Sequence, residues 1–122
     1  MVGSRKLPLV AVIVALGAVA GGAEAGARSG LWGVVTRSPI SPICVAEQPC
    51  DAPAPGVTLV FTHAGREVGR ARTGSAGGYR IALPAGWYRV KPLSGRDMEP
   101  DRARVRRGLF RRVDFSIDTG IR

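Results

Sequence analysis

The sequence predicts an all-β domain, a single seven-stranded antiparallel sandwich, on three observations. Every clear periodicity in the chain has period two, the side-chain repeat of a pleated strand. Turns rich in glycine and proline separate the alternating runs at short intervals. No window carries an apolar helical stripe between capping residues. Short strands of this kind bury one face each, which requires two facing sheets.

The first strand covers residues 31–36, where Leu31, Gly33 and Val35 alternate with Trp32, Val34 and Thr36. A loop follows, RSPISPICVAEQPCDAPAPG, with prolines at 39, 42, 49, 53 and 55. Its length is unusual inside a compact domain, and the prolines and an internal cross-link would keep it ordered. Residues 57–63, VTLVFTH, are β-branched and apolar on both faces, which predicts a central strand. His63-Ala64-Gly65-Arg66 reads as a turn, and residues 67–73 as a polar, weaker strand. Residues 74–78 read as a flexible glycine loop and not as a phosphate cradle. Tyr79-Arg80 stands where such a cradle places a lysine and a hydroxyl residue.

Tyr79, Ile81 and Leu83 then alternate with Arg80 and Ala82. Pro84-Ala85-Gly86 turns the chain, and residues 87–91 return with Tyr88 and Val90 inward. The two runs read as a hairpin with one apolar face: Tyr79, Ile81, Leu83, Tyr88 and Val90. After a charged loop, residues 102–106 alternate outward arginines with Ala103 and Val105. Gly108 turns, and Val113, Phe115 and Ile117 form the inward set of the closing strand.

Ahead of these strands, Ser4-Arg5-Lys6 precedes an apolar run from Leu7 to Ala20, and Ala23-Glu24-Ala25 closes the segment. A basic start, a short apolar centre and a small-residue exit are the parts of a secretory signal peptide. A membrane span takes about 20 apolar residues, and this run contains Pro8 and Gly17. The expected organisation is therefore a signal peptide over residues 1–25 and one domain over 26–122, with no transmembrane segment in the mature chain. The alternative is an uncleaved anchor. Removing Arg5, Lys6 and Glu24 from 18 basic and 9 acidic residues leaves 16 and 8, a net charge of +8. Only Lys6 and Lys91 are lysines; the other basic residues are arginines, a bias that a GC-rich genome also produces.

Cys44 and Cys50 lie in the exported part with five residues between them. A structural disulfide in an oxidising compartment is expected. A zinc site would need three or four ligands, and the other obvious candidate is His63 alone. His63 itself reads as a strand-end residue, because no nucleophile or orienting group accompanies it in the sequence.

The order of a small-residue loop, Gly78-Tyr79-Arg80-Ile81, then Leu83-Pro84-Ala85-Gly86-Trp87-Tyr88 resembles the carboxypeptidase regulatory-like domains. Leu31-Trp32-Gly33-Val34-Val35 is similar to that family's first strand, and the run from Val113 to Ile117 to its closing strand. The resemblance covers roughly residues 30–118 and implies a prealbumin-like (transthyretin-like) Greek-key sandwich. Its motifs specify architecture and not activity. Ser75-Ala76-Gly77 stands where relatives often carry acidic residues, so calcium is not expected. The ureide-pathway hydrolases of related fold end in a Tyr-Arg-Gly-Ser-type motif and use several histidines, whereas this chain ends Asp118-Thr119-Gly120-Ile121-Arg122 and holds one histidine. The isopeptide staple of pilin-like relatives needs lysine and asparagine, and the sequence has no asparagine.

The remaining candidate is an arginine-rich sheet face. Period-two phasing puts Trp87, Arg89 and Lys91 opposite the inward residues of one strand, and Arg102, Arg104 and Arg106 outward on another, with Arg112 outward on its neighbour. Strand order is not fixed by phasing, so one patch and two patches are both open. Such a face can clamp phosphates or sulfates, or simply keep sheet edges soluble. Trp32 also falls on the outward phase, and both tryptophans are expected either as sugar or headgroup contacts or packed beneath the proline loop. Nucleic acid does not fit an exported chain without interleaved stacking aromatics. The expectation is a secreted, non-enzymatic module, an accessory or binding protein of the cell envelope, with no cofactor and no catalytic or metal-binding residue. The alternative is a binder of envelope polyanions or anionic lipid headgroups through the arginine face, and the third reading is a small hydrolase.

Overall fold

Alternation is kept almost residue for residue in the computed structural model, which describes residues 28–121; the signal-peptide assignment to 1–25 lies outside them. The described residues form ten strand segments and no helix. One sheet is antiparallel throughout and holds four strands: β3 (Thr58–His63) and β6 (Gly86–Pro92) at the centre, β4 (Arg66–Arg72) and β8 (Arg102–Val105) at the edges. Residues 57–63 thus supply a central strand, as their double-sided apolar character requires. Leu59 and Phe61 face inward with no exposed surface.

The other sheet is built around one long strand, β1 (Gly30–Ser38). Along one edge it pairs antiparallel with β5 (Gly78–Ala82) and then with the short β2 (Ala52–Pro53). Along its other edge run β9 (Phe110–Arg112) and β10 (Phe115–Asp118), both parallel to it, and β7 (Met98–Glu99) lies outside β10. Between the sheets lie Leu31, Val35, Leu59, Phe61, Tyr79, Leu83, Tyr88, Val90, Val105, Phe115 and Ile117, all buried. Tyr79 sits between the rings of Phe61 and Phe115, with centroids 6.4 and 5.5 Å away. Burial of such side chains contributes roughly 1.5–3 kcal/mol each.

Four expectations are corrected. The runs around Leu83-Pro84-Ala85-Gly86 are not a hairpin, because β5 pairs with β1 and β6 with β3 and β8. The turn carries the chain from one sheet to the other, so the five apolar residues face each other across the core instead of lying side by side. The sandwich is not wholly antiparallel either: β1 and the closing segments run the same way. A parallel pair needs a long crossover connection, and here that connection contains all four strands of the other sheet together with β2, β5 and β7. Seven strands become ten segments, because the closing run is split at Val113-Asp114 and β2 and β7 add short pairings. Finally, residues 74–78 form a tight hydrogen-bonded turn. Gly77 N–H donates to Gly74 O (3.0 Å), and the Gly77 carbonyl accepts from Val35 N–H (2.8 Å).

The proline loop is shorter than its sequence suggests, since β1 runs on through Ser38 and β2 pairs Ala52 with Arg37. Cys44 and Cys50 are bonded within it, with Cα atoms 5.5 Å apart. The cross-link closes an exposed loop without tying it to a sheet: Ile43 and Val45 are 75% and 50% exposed.

Candidate binding face

Strand register decides which arginines share a surface. In the β6–β8 pair Trp87 lies opposite Arg104 and Arg89 opposite Arg102, while Tyr88 and Ala103, one step out of phase, are buried between the sheets. Lys91 continues the row and faces Val60 of β3. Five of the seven expected residues therefore share the outer face of the four-stranded sheet. Arg106 lies one residue beyond the end of β8 and is exposed.

The face has a fixed frame and a positive potential. The Tyr88 hydroxyl donates to the Pro84 carbonyl at 2.6 Å, locking the start of β6. Beside it, His63 sits with Nδ1 2.9 Å from the Trp87 carbonyl and its ring 5.5 Å from that of Tyr88. His63 is thus a strand-end residue holding β6 in place. Trp87 is 57% exposed and has the Arg102 guanidinium 5.9 Å from its ring. The carboxylates at hand are mostly committed. Glu67 holds Arg70 at 2.7 Å, and this hydrogen bond keeps its carboxyl below the usual glutamate value. Asp101 lies 3.8 Å from Arg89, a long and exposed pair that contributes little. Among the described residues, Lys91, Arg102 and Arg104 pair with no carboxylate.

Arg112 does not belong to this face. Its strand, β9, neighbours β1 and not β8, so it stands on the outer side of the opposite sheet. There its guanidinium lies 5.0 Å over the ring of Trp32, and its Nε donates to Asp114 Oδ1 at 3.2 Å. Both tryptophans are exposed on outer faces beside an arginine, and neither is sealed beneath the proline loop. The opposite face also holds a pair that sequence reasoning missed: the Arg80 guanidinium stacks 3.8 Å over the ring of Phe110. Gly30, which faces both Ala82 and Phe110, makes room for that ring, since a Cβ there would strike it. A glycine at the head of an alternating run is the available signal for such a close approach.

The two outer faces differ in chemistry. On the β1 sheet Arg112 is held by Asp114 and Arg80 lies over the Phe110 ring. On the four-stranded sheet Arg102 and Arg104 stand about 6.6 Å apart along β8. Lys91 lies two positions along β6 from Arg89, the residue opposite Arg102, and none of Lys91, Arg102 and Arg104 pairs with a carboxylate among the described residues. A guanidinium fork in that position takes two oxygens of a sulfate, phosphate or carboxylate. No family model, curated protein or solved structure matches the chain.

Proposed function

We propose that the chain is an exported, non-enzymatic β-sandwich module of the cell envelope that holds anionic polymer on the outer face of its four-stranded sheet. The observation that carries this reading is the cross-strand register of Trp87 with Arg104 and Arg89 with Arg102, flanked by Lys91 and left largely without carboxylate partners. A linear polyanion presents a repeated charge to such a grid, and the affinity falls with added salt because the contacts are exposed. Export is supported by the apolar run ending in Ala23-Glu24-Ala25 and by the bonded cysteine pair. The finer fold proposal is a Greek-key sandwich of prealbumin-like, carboxypeptidase regulatory-like type, supported by the two-sheet architecture and the Gly78-Tyr79 and Leu83-Pro84-Ala85-Gly86 motifs. The exposed ring of Trp87 favours a second ligand, anionic lipid headgroups, since indoles settle at membrane interfaces.

The test compares two double variants that remove equal charge. Arg102→Gln/Arg104→Gln is expected to weaken binding to dextran sulfate about tenfold at low salt. Arg80→Gln/Arg112→Gln, on the opposite face, should leave it within about twofold. Equal losses in both would reduce the effect to net charge and remove the site. Vesicles containing anionic lipid, run in parallel, separate a headgroup ligand from a soluble polymer.

A further inference from the structure

Beyond the charged face, the sandwich has an open end with a different chemistry. At that end the two sheets part, and a groove of about 590 Å³ opens between the segment after β2, the turn after β6 and the end of β10. That volume is in the range of small-molecule sites. Its apolar surface comes from Ala54, Pro55, Val57, Leu93 and Ile117, all aliphatic, and no aromatic ring lines it. Ala54 and Ile117 are buried at the base, and Leu93 stands 56% exposed at the rim.

Two guanidiniums flank this aliphatic groove, Arg37 from the end of β1 and Arg96 from the turn after β6, and no acidic residue lines it. Each is held by one backbone carbonyl: Arg37 Nε donates to Pro53 O at 3.2 Å and Arg96 Nη1 to Thr119 O at 2.7 Å. Neither makes an ion pair among the described residues, so each keeps further N–H donors for a ligand. The neighbouring groove of about 980 Å³ has a mixed lining: Arg89, Lys91 and Arg96 border it together with Asp97, Glu99, Asp101 and Asp118, whereas the charged residues of the aliphatic groove are basic alone.

The walls are preformed. Thr73, buried beneath the first wall, accepts the Val57 N–H at 2.8 Å and donates to the Ala54 carbonyl at 2.6 Å. The Leu93 N–H bonds Thr58 O at 2.8 Å, and the Thr119 N–H bonds Ser38 O at 3.1 Å. Little ordering is left to be done on binding, which favours affinity in a small site.

We infer that this groove binds a small amphipathic carboxylate, an unbranched aliphatic chain lying on Val57, Leu93 and Ile117 with its carboxylate between Arg37 and Arg96. The aliphatic lining selects a chain over a planar ring, and the guanidinium fork matches a planar two-oxygen head. The site shares no residue with the Trp87–Arg104 face and stands or falls separately from it.

The experiment is amide-resolved NMR titration with octanoate, acetate and octan-1-ol. Octanoate is expected to shift the amides of Gly56, Val57, Leu93 and Thr119, and to bind at least about tenfold more tightly than either other probe. Arg37→Gln/Arg96→Gln should lower octanoate affinity about tenfold or more. Leu93→Gln, a neutral polar change at an exposed rim position that leaves both arginine anchors in place, should lower octanoate affinity about tenfold while the amide spectrum stays folded. Octan-1-ol binding as well as octanoate would leave only a greasy patch, and acetate doing so only a cationic one. Shifts confined to the Trp87 face, or unchanged affinity in Leu93→Gln, would also overturn the site.

Discussion

The Val113 carbonyl leaves the ladder between β1 and the closing run and turns inward, where it accepts the Tyr79 hydroxyl at 2.6 Å. Gly33 permits this, because a Cβ there would overlap that carbonyl oxygen. Asp114 then fills the gap in the ladder: its Oδ1 accepts the Val34 N–H at 2.9 Å and the Arg112 Nε at 3.2 Å. The Val34 N–H first, then Arg112, holds the Asp114 carboxyl below its ordinary value of 3.8. Burial, with the negative charge of Asp114 nearby, pushes the Tyr79 phenol well above its usual range, so Tyr79 remains a donor. Asp114→Ala strands the Val34 N–H and is expected to cost about 1–1.5 kcal/mol in urea unfolding at neutral pH. The pH dependence has a definite sign. A depressed carboxyl contributes stability in full above its ordinary value and loses it as pH falls through the folded value. The gap between the parent and Asp114→Asn, which keeps the oxygen acceptor but not the charge, should therefore be present at pH 7 and close below pH 3.8. A gap that persists in acid would mean that the charge is not what stabilises the break.

Among the elements, turns decide what alternation leaves open. Ala64 and Gly65 link β3 to β4 with φ of 52° and 80°, the doubly left-handed geometry of a two-residue hairpin. Alanine pays for that conformation in strain that asparagine largely avoids. Ala64→Asn is expected to raise stability by about 0.5–1 kcal/mol, read as a higher urea midpoint with an unchanged slope. The Cys44–Cys50 loop behaves differently: it is short and lies on the surface, so Cys44→Ser/Cys50→Ser should cost about 2 kcal/mol or less and leave both sheets intact by circular dichroism. These elements also show how far the sequence is legible. The inward sets Leu31/Val35, Tyr88/Val90 and Phe115/Ile117 were readable, because a pleat allows only two phases and the apolar residues choose one. Residues 57–63 are apolar on both phases, and their inward pair Leu59/Phe61 was not. Partnership was not readable. Tyr79 and Tyr88 point to the core from opposite sides, and an inward residue has the same pattern whichever sheet carries it. For the same reason Trp87 with Arg102 and Arg104 could be placed on one face, while Arg112 was assigned to the wrong neighbour. The break at Val113-Asp114 left no trace in the alternation, since it changes hydrogen bonding without changing phase.

For the molecule as a whole, the pairing of β1 with β9 and β10 joins residues some 80 positions apart, as in the Val34–Asp114 bond. Deleting residues 113–122 would strip Phe115 and Ile117 from the core and expose the edge of β1. The truncated chain is expected to show no cooperative thermal transition, and a sharp transition would mean that the four-stranded sheet and β5 suffice. The same pairing governs time as well as stability. A nascent chain carrying Gly30–Ser38 has to wait until Phe110–Asp118 has been synthesised before the second edge of that strand is covered. Contacts closed over so long a span are slow to form. A polypeptide arranged in this way completes the sheet around its first strand only when its closing residues have arrived.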